Sequence, residues 1–320
     1  FPTRRSSDLD KLAASQSRNE ILGVASFFRG LIYYHLVSRY GEVPILEAPF
    51  SGDIAASTEE EGWSFVEKNF QVAIDYAPTF SDKYYVSKQA AKALMARTKL
   101  AQGKLTEAAK LAEEVIGDAN FSLADFDQIF RGKANREEIF SFVNLLNESS
   151  VNLSASLYSR ASANGGSYTY APTMKVMNMF EPDDKRTAIS IDMQETNEVI
   201  NKYPGGEVTT DPIIITRLGE MYLISAEAQG LSKGLSRLNE LRNFRGLSSV
   251  HPATEEDFID AILNERHTEL LAEGFRWFDL VRLNRLESDL GFERKYNRLP
   301  IPAKERSLNK LLNQNSYWAN

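Results

Sequence analysis

Two segments of this chain share one pattern: a helix of small residues, a glycine, and a second amphipathic helix. The break falls at Gly103 in residues 87–116 and at Gly230 in residues 216–244. Alanines flank the first break on both sides, at Ala90, Ala91, Ala93, Ala96, Ala108, Ala109 and Ala112. Small residues at a contact let two helices approach closely, as the paired helices of tetratricopeptide (TPR) repeats do. The full TPR consensus is absent, so the pattern predicts an architecture: a mainly α fold of TPR-like helical hairpins, an α–α superhelix.

Three further segments have helical periodicity. Residues 21–40 are apolar on almost every side, which predicts a helix packed between neighbours. Residues 58–76 begin with Thr58 and Glu61, the spacing of a capping box. Residues 255–273 are predicted to form one long helix.

The remaining chain is less regular. About residues 121–212 contain turn dipeptides and Ser/Asn-rich runs, which predict a loop-rich insertion. The C-terminal tail is predicted to be extended because Pro300 and Pro302 do not fit a helix interior. The helical parts are therefore expected at about 20–117 and 213–286.

The first nine residues, FPTRRSSDL, are unlike the start of a protein. They include no initiator Met, no apolar run and no cleavage site, and they resemble the translation of a sequencing adapter. We expect residues 1–9 to be an artefact and the natural N-terminus to be missing. Residues 10–320 are predicted to form a single domain.

Composition excludes several classes of function. A net charge of -7 argues against a nucleic-acid partner, which needs a basic face. No window approaches 18 unbroken apolar residues, so no membrane-spanning helix is predicted. The chain has no Cys and only three scattered His, so we predict no metal site and no cofactor.

Residues 264–283 have the most distinctive pattern. Bulky rings alternate there with charges, in the run Gly274, Phe275, Arg276, Trp277, Phe278, Asp279 and Arg282. An acidic stripe at helical spacing precedes the run, at Glu265, Glu269 and Glu273. We expect the stripe to pair with Arg276, Arg282 and other basic groups, and Trp277 and Phe278 to anchor the core.

Acid–base hydrolysis is the alternative interpretation of this stripe, with His267 nearby. The carboxylates of a glycosidase normally face each other across a cleft from different elements, whereas these share one helix face. His267 and Glu269 do not form an H-E-x-x-H motif, so a zinc-enzyme interpretation also fails.

Four ordered blocks resemble the SusD/RagB family, namely residues 29–46, residues 217–228 with 237–247, residues 265–282, and residues 299–315. The positions that match its signature, to which we assign a structural role, are Arg39, Tyr40, Gly41, Pro44, Glu265, Arg266, Glu269, Glu273, Gly274, Arg276, Trp277, Asp279, Pro300 and Pro302. Four blocks that match one family in the same order make the resemblance to that family specific.

The resemblance implies an outward-facing lipoprotein of the outer membrane, with a lipid anchor that lies outside this chain. It also implies non-catalytic capture of an oligosaccharide or polysaccharide and its delivery to a TonB-dependent transporter of the SusC/RagA type. RagB-like members suggest peptide cargo as an alternative. A TPR-like scaffold for protein partners is a second alternative, and a glycan hydrolase is a third.

One loop combines the chemistry that sugars need. Aromatic faces stack on the C–H faces of sugar rings, and Asn and Arg side chains hydrogen-bond to hydroxyls. Binding residues concentrate on loops of this kind. The residues predicted to contact ligand are Tyr158, Arg160, Asn164, Tyr168 and Tyr170.

Overall fold

The computed structural model of the protein describes residues 15–145, 153–157, 166–194, 197–203 and 211–318. These residues divide into two units. Unit 1 takes its described residues from 15–81, 86–104 and 277–318, and unit 2 takes them from 82–85 and 105–276. The single domain expected for residues 10–320 stays a prediction. Residues 1–9 lie outside the described residues.

The described residues are mainly helical, which confirms the predicted fold class. The α-helices are α1 (Gln16–Tyr40), α2 (Glu59–Tyr76), α3 (Lys88–Ala101), α4 (Leu105–Ile116), α5 (Phe126–Phe130), α6 (Met174–Met177), α7 (Thr187–Ser190), α8 (Leu218–Phe244), α9 (Glu255–Glu269), α10 (Arg276–Arg282), α11 (Leu286–Leu290) and α12 (Ala303–Leu308). The strands are β1 (Glu138–Phe142), β2 (Ile191–Gln194), β3 (Asn197–Ile200) and β4 (Ile213–Arg217).

In unit 1, α2 packs against both α1 and α3. The predicted capping box is present at the start of α2, where Thr58 and Glu61 satisfy each other's backbone N–H groups. Gly23 of α1 is required for close packing, because a Cβ there would lie 2.4 Å from the backbone nitrogen of Ala77. Fully buried side chains fill this contact, among them Phe27, Val37, Val66 and Phe70.

Helix α1 contacts α2 and α3, as expected of a helix packed between neighbours, but it also keeps an exposed face. Ile21 is 54% exposed and Ile32 is 58% exposed. The apolar pattern of a helix shows which of its side chains are hydrophobic, but it does not show how many other helices pack against them. By length and composition alone α1 would suffice to cross a membrane, a test that the core helix of a soluble protein also passes. Its other face is buried against α2.

In unit 2, α8 is the predicted hairpin of residues 216–244. Gly230 interrupts it with φ 68° and ψ 177°, which only glycine adopts easily. The two halves touch so closely that a Cβ on Gly234 would lie 1.8 Å from the carbonyl oxygen of Ala226. Helix α8 also packs against α4 and α9. The other predicted break is present as well, with Gly103 at φ 70° between α3 and α4.

The insertion contains strands that the sequence analysis did not predict. Strand β1 pairs antiparallel with β4, and β2 pairs antiparallel with β3. Each strand has only four or five residues, and the first four residues of β1 are all buried, so the alternating pattern of a half-exposed strand is absent. Strand β4 occupies 213–217, where a helical part was expected to begin.

The C-terminal tail is extended except for the short helix α12, which the sequence analysis missed. Pro302 is the N-cap of α12, so it stays outside the helix interior, where a proline would be unfavourable. The side chain of Asn315 donates to the carbonyl oxygen of Leu299 at 2.6 Å and holds two extended parts of the tail together.

Candidate functional site

The acidic signature is split between a helix and a turn. Helix α9 ends at Glu269, four residues earlier than predicted, because Ala272 at φ 61° and Gly274 at φ 85° leave the helical conformation. Glu273 therefore does not share a helix face with Glu265 and Glu269. The helical spacing predicted that all three carboxylates lie on one helix face, and this prediction is wrong for Glu273.

Glu269 nevertheless stands at the centre of a buried ion network in unit 2. Its side chain is fully buried, and three guanidinium groups surround it. Arg217 Nη1 lies 2.5 Å from Oε1, Arg245 Nη2 lies 2.8 Å from Oε1, and Arg186 Nη1 lies 2.8 Å from Oε2. Hydrogen bonds between such groups are charge-assisted and strong.

Strand pairing brings the second carboxylate into the network. Strand β1 follows Glu137, and β4 ends at Arg217, so the pairing of the two strands places these side chains together. Arg217 Nη1 lies 2.7 Å from Glu137 Oε1, and Arg245 Nη2 lies 2.9 Å from the same oxygen. Two residues 80 positions apart in the sequence thus meet through the sheet.

Glu273 also joins the network from its turn. Lys202 Nζ lies 2.7 Å from Glu273 Oε1, and Arg217 Nη2 lies 2.9 Å from it. Two aromatic rings cover the cations: Lys202 Nζ lies 4.7 Å from the Phe130 ring centroid, and Arg245 Cζ lies 4.8 Å from that of Phe126.

Each cation of the network contacts at least one carboxylate. The carboxylates with buried side chains are Asp184, Glu137, Glu265, Glu269 and Glu273. The cations are Arg186, Lys202, Arg217, Arg242 and Arg245, and Arg242 also contacts the half-exposed Glu181. A buried charge without a partner is strongly unfavourable, so this pairing is what burial requires.

The pKa shifts follow from these contacts. Burial alone would raise the pKa of Glu269, but Arg245, Arg217 and Arg186 outweigh it and hold that pKa well below its ordinary value of 4.5. Burial likewise acts to raise the pKa of Glu273, but Arg217 and Lys202 outweigh it and lower that pKa below 4.5. Burial lowers the pKa of Lys202 to about 8, against the opposing effect of the Glu273 carboxylate.

These carboxylates are poorly suited to acid–base chemistry. A general acid needs a pKa near the working pH, whereas the pKa of Glu269 lies far below it. Its oxygens also face guanidinium groups and not an open cleft. The arrangement is suited to fixing β1, β4, α8 and α9 together.

The stripe pairs with basic groups, as expected, and Arg186, Arg217 and Arg245 are among them. Arg276 Nη1 donates to the carbonyl oxygen of Leu263 at 3.0 Å. Arg282 lies in unit 1, where its Nη2 is 2.8 Å from Oδ1 of Asp279. The basic partners Arg217 and Arg245 fall within the two segments of one block of the family resemblance, which was the only signal available for them. Arg186, Lys202 and Glu137 fall in the insertion, where the sequence showed no pattern.

The remaining signature residues of unit 1 form a second group. The guanidinium of Arg39 lies 5.1 Å from the ring centroid of Phe278, and the backbone oxygen of Arg39 accepts from the Leu299 N–H at 2.6 Å. Trp277 and Phe278 are only partly buried, so the prediction that they anchor the core is wrong. Pro44 accepts a hydrogen bond from Tyr33 Oη through its carbonyl oxygen at 3.3 Å.

The structure describes part of the predicted ligand loop. Tyr158, Arg160 and Asn164 lie outside the described residues. Tyr168 has φ 51° and donates its hydroxyl to the carbonyl oxygen of Glu198 in β3 at 2.9 Å. Tyr170 is 65% exposed.

The backbone of this loop is held on both sides of Tyr168. Residues 154–156 form a 3-10 turn. The Ser167 N–H donates to the carbonyl oxygen of Ala155, and the Tyr170 N–H donates to that of Ser156 at 2.9 Å. The loop therefore presents the Tyr170 side chain from a fixed backbone.

A cavity of about 350 Å³ borders the ion network in unit 2. Its walls are apolar and charged, and include Phe126, Phe244, Lys185, Asp125 and Asp127. Arg186 and Arg245 also line it, but both are engaged by buried carboxylates. Within the described part of the chain, no group of three or more His, Cys, Asp and Glu side chains is placed to hold a metal ion.

Solved structures share the fold. A laminarin-binding SusD-like protein superposes with a TM-score of 0.85 at 23% identity, over 97% of this chain and 82% of that one. A SusD superfamily protein from Bacteroides vulgatus superposes with a TM-score of 0.86 at 22% identity, over 98% and 82% of the two chains.

Sequence comparison gives the family. SusD-like protein P2 of Formosa agariphila is 26% identical over 93% of this chain and 74% of its own length. The pattern described as "Starch-binding associating with outer membrane" matches residues 6–100. The pattern of the SusD family matches residues 124–298, which is more than half of the chain. The protein therefore belongs to the SusD family.

Proposed function

We propose that this protein captures oligosaccharides at the cell surface without chemical change and passes them to a TonB-dependent transporter in the outer membrane. Membership of the SusD family supports the proposal. So does the description of the pattern at residues 6–100, which names starch binding and association with the outer membrane. A structural relative with the same fold is named for binding laminarin.

The main observation in support of the proposal is that Tyr170 is exposed on a backbone held by hydrogen bonds. A tyrosine that is 65% exposed offers an aromatic face on which a sugar ring can stack. The hydrogen bonds of Ser167, Tyr168 and Tyr170 to backbone oxygens fix the backbone around Tyr170 before ligand arrives. A preorganised ring loses little conformational freedom on binding, so more of the stacking energy appears as affinity.

The ion network supports binding in preference to catalysis. The carboxylates of the signature are buried and paired with guanidinium groups. They stabilise segments of unit 2, whereas the described part of the loop contributes the neutral rings of Tyr168 and Tyr170. Neutral groups of this kind recognise sugars by stacking and hydrogen bonds, with no bond broken.

Titration calorimetry with a panel of neutral glycans tests the proposal. The panel consists of laminarihexaose, maltohexaose, cellohexaose and xylohexaose. We expect the protein to bind at least one of them, and Tyr170→Ala to weaken that binding by about threefold to tenfold, the value of one aromatic contact. Tyr76→Ala, at a tyrosine that is 42% exposed on α2, is the matched control and should leave affinity unchanged.

Other outcomes favour the alternatives. Binding of a peptide mixture but of no glycan would favour peptide cargo. Association with a protein partner that does not change in Tyr170→Ala would favour a TPR-like scaffold. Delivery is tested in cells: the protein expressed from its natural gene should co-purify with a TonB-dependent transporter of the SusC/RagA type from outer membranes.

A further inference from the structure

Unit 1 contains a row of four aromatic side chains that the proposed function does not use. Trp277 and Phe292 have ring centroids 5.5 Å apart, Phe292 and Tyr296 are also 5.5 Å apart, and Tyr296 and Trp318 are 5.2 Å apart. Each pair meets edge to face, with interplanar angles between 60° and 84°. This geometry is favourable for aromatic pairs and holds each ring at a fixed angle.

The row is anchored at one end and open in the middle. Trp318 donates its indole N–H to the carbonyl oxygen of Arg298 at 2.7 Å, which fixes that ring. Lys295 Nζ lies 5.2 Å from the Tyr296 centroid and 5.8 Å from that of Trp318. Phe292, between Trp277 and Tyr296, remains 41% exposed although it has no polar atom that gains from contact with water.

A cavity of about 240 Å³ adjoins Phe292. Its lining is Phe292 itself, the buried Leu286, and the side chains of Asn284, Glu287, Arg294 and Asn297. This volume equals that of about eight liquid waters, which is below the range of drug-sized ligand sites and suits a single small ring.

The polar groups of the cavity match a polyol. Two amides, one guanidinium and one carboxylate provide donors and acceptors in planar pairs, which suits the alternating hydroxyls of a sugar. Glu287 and Arg294 carry opposite charges, so the cavity has no net charge that would select an anion or a cation. The exposed Phe292 ring supplies the apolar face that the C–H side of a sugar ring contacts.

We infer that this cavity is a binding subsite for one neutral sugar ring, with Phe292 as the stacking platform and Asn284, Glu287, Arg294 and Asn297 as hydroxyl partners. The inference rests on the proposed capture of oligosaccharides and adds a contact surface that the tyrosine loop does not include. Asn284 has φ 55°, which places its backbone in the left-handed region at the end of α10. Asparagine tolerates this conformation, so the side chain is set at the cavity without a large strain.

Calorimetry with single and double variants tests the subsite. The titrant is whichever hexaose of the four-glycan panel the wild-type protein binds. We expect Phe292→Ala to weaken binding by about threefold to tenfold and Phe292→Tyr to retain it, because the aromatic face is kept. Asn297→Ala should weaken binding by about fivefold through one lost hydrogen bond. Leu290→Ala, at an apolar side chain that is 50% exposed and does not line the cavity, is the control.

The outcomes separate the subsite from the tyrosine loop. If Tyr170→Ala weakens binding and Phe292→Ala and Asn297→Ala do not, the subsite is overturned and the proposed function stands. If all of them weaken it, the tyrosine loop and the subsite are both supported as contact surfaces. A wild-type protein that binds no glycan of the panel overturns both.

Hydrogen exchange gives a second measurement that needs no substitution. Backbone amides of residues 292–297 should exchange more slowly when the bound hexaose is present at saturation. Unchanged exchange there overturns the subsite even where a variant binds weakly. Slower exchange caused by a peptide mixture and by no glycan would assign the cavity to peptides and overturn the sugar assignment.

Discussion

The ion network of unit 2 and the tyrosine loop beside it use side chains in opposite ways. Every carboxylate and cation at the centre of the network is buried and paired, whereas Tyr170 is 65% exposed. Ionisable residues in a conspicuous motif suggest catalysis, yet here they join secondary structures. The groups that we expect to contact ligand in the tyrosine loop are neutral apart from Arg160, and they lie where the sequence is least regular. Buried, paired charge stabilises unit 2, and exposed polar and aromatic groups are the ones that we expect to bind ligand.

The largest expected effect comes from breaking the network at its centre. Glu269→Gln keeps the shape of the side chain but leaves Arg186, Arg217 and Arg245 without a shared anion. Removing one partner of a buried ion pair typically lowers the free energy of unfolding by about 3–5 kcal/mol. Urea unfolding followed by circular dichroism measures the change.

Glu47→Gln is the matched control for that variant. Glu47 pairs with Lys68 on the surface, where the two side chains are 65% and 60% exposed. A pair of this kind contributes between about 0 and 1 kcal/mol. Equal losses in the two variants would contradict the structural role of the network.

The pH dependence of stability also tests the role of the ion network. The folded-state pKa values of Glu269 and Glu273 lie below their ordinary value of 4.5, so the unfolded chain binds more protons as pH falls through this region. The stability that these two carboxylates contribute is therefore complete well above pH 4.5, and it is lost as pH falls through the lower folded pKa values. Unfolding measured at pH 7, 5, 4 and 3 should show stability falling with acid. The fall should be shallower in Glu269→Gln, and identical slopes would contradict the pKa assignment.

The sequence predicted the helices well because their determinants are local. The capping residues Thr58 and Glu61 and the break at Gly230 act over a few positions, and the structure confirms each. Strands β1 and β4 are too short to have a period of their own, and their pairing joins residues 71 to 79 positions apart. The expected role of the acidic stripe was to pair with basic groups, but Arg186 and Lys202 could be identified only after the fold had brought them together.

The candidate ligand residues were harder to predict, because a surface tyrosine leaves the same trace in a sequence whether or not it binds. Of the five named residues, the structure describes Tyr168 and Tyr170, and it gives them different environments. The aromatic row through Phe292 was missed since Trp277, Phe292, Tyr296 and Trp318 follow no period. Only the folded chain places them side by side.

A smaller effect separates the two tyrosines. Tyr168→Phe removes the hydroxyl that donates to the Glu198 carbonyl oxygen and keeps the ring. The loss of one part-buried hydrogen bond should lower the free energy of unfolding by about 1 kcal/mol. Glycan affinity should fall less than in Tyr170→Ala, because Tyr168 positions the loop and its ring is retained. A greater loss of affinity in Tyr168→Phe would assign the direct contact to Tyr168 instead.

The smallest expected change in stability belongs to Tyr170→Ala. Its side chain is mostly in solvent, and the loop is held by the Tyr170 backbone N–H, which alanine retains. A surface substitution of this kind changes the free energy of unfolding by less than about 0.5 kcal/mol. Urea unfolding of this variant should therefore match the wild-type protein while calorimetry shows weaker glycan binding.

Glu269→Gln has the opposite profile, since its principal defect is in unfolding. If Tyr170→Ala destabilised the protein as much as Glu269→Gln does, the loop would be part of the framework, and the division between charged support and neutral binding surface would fail.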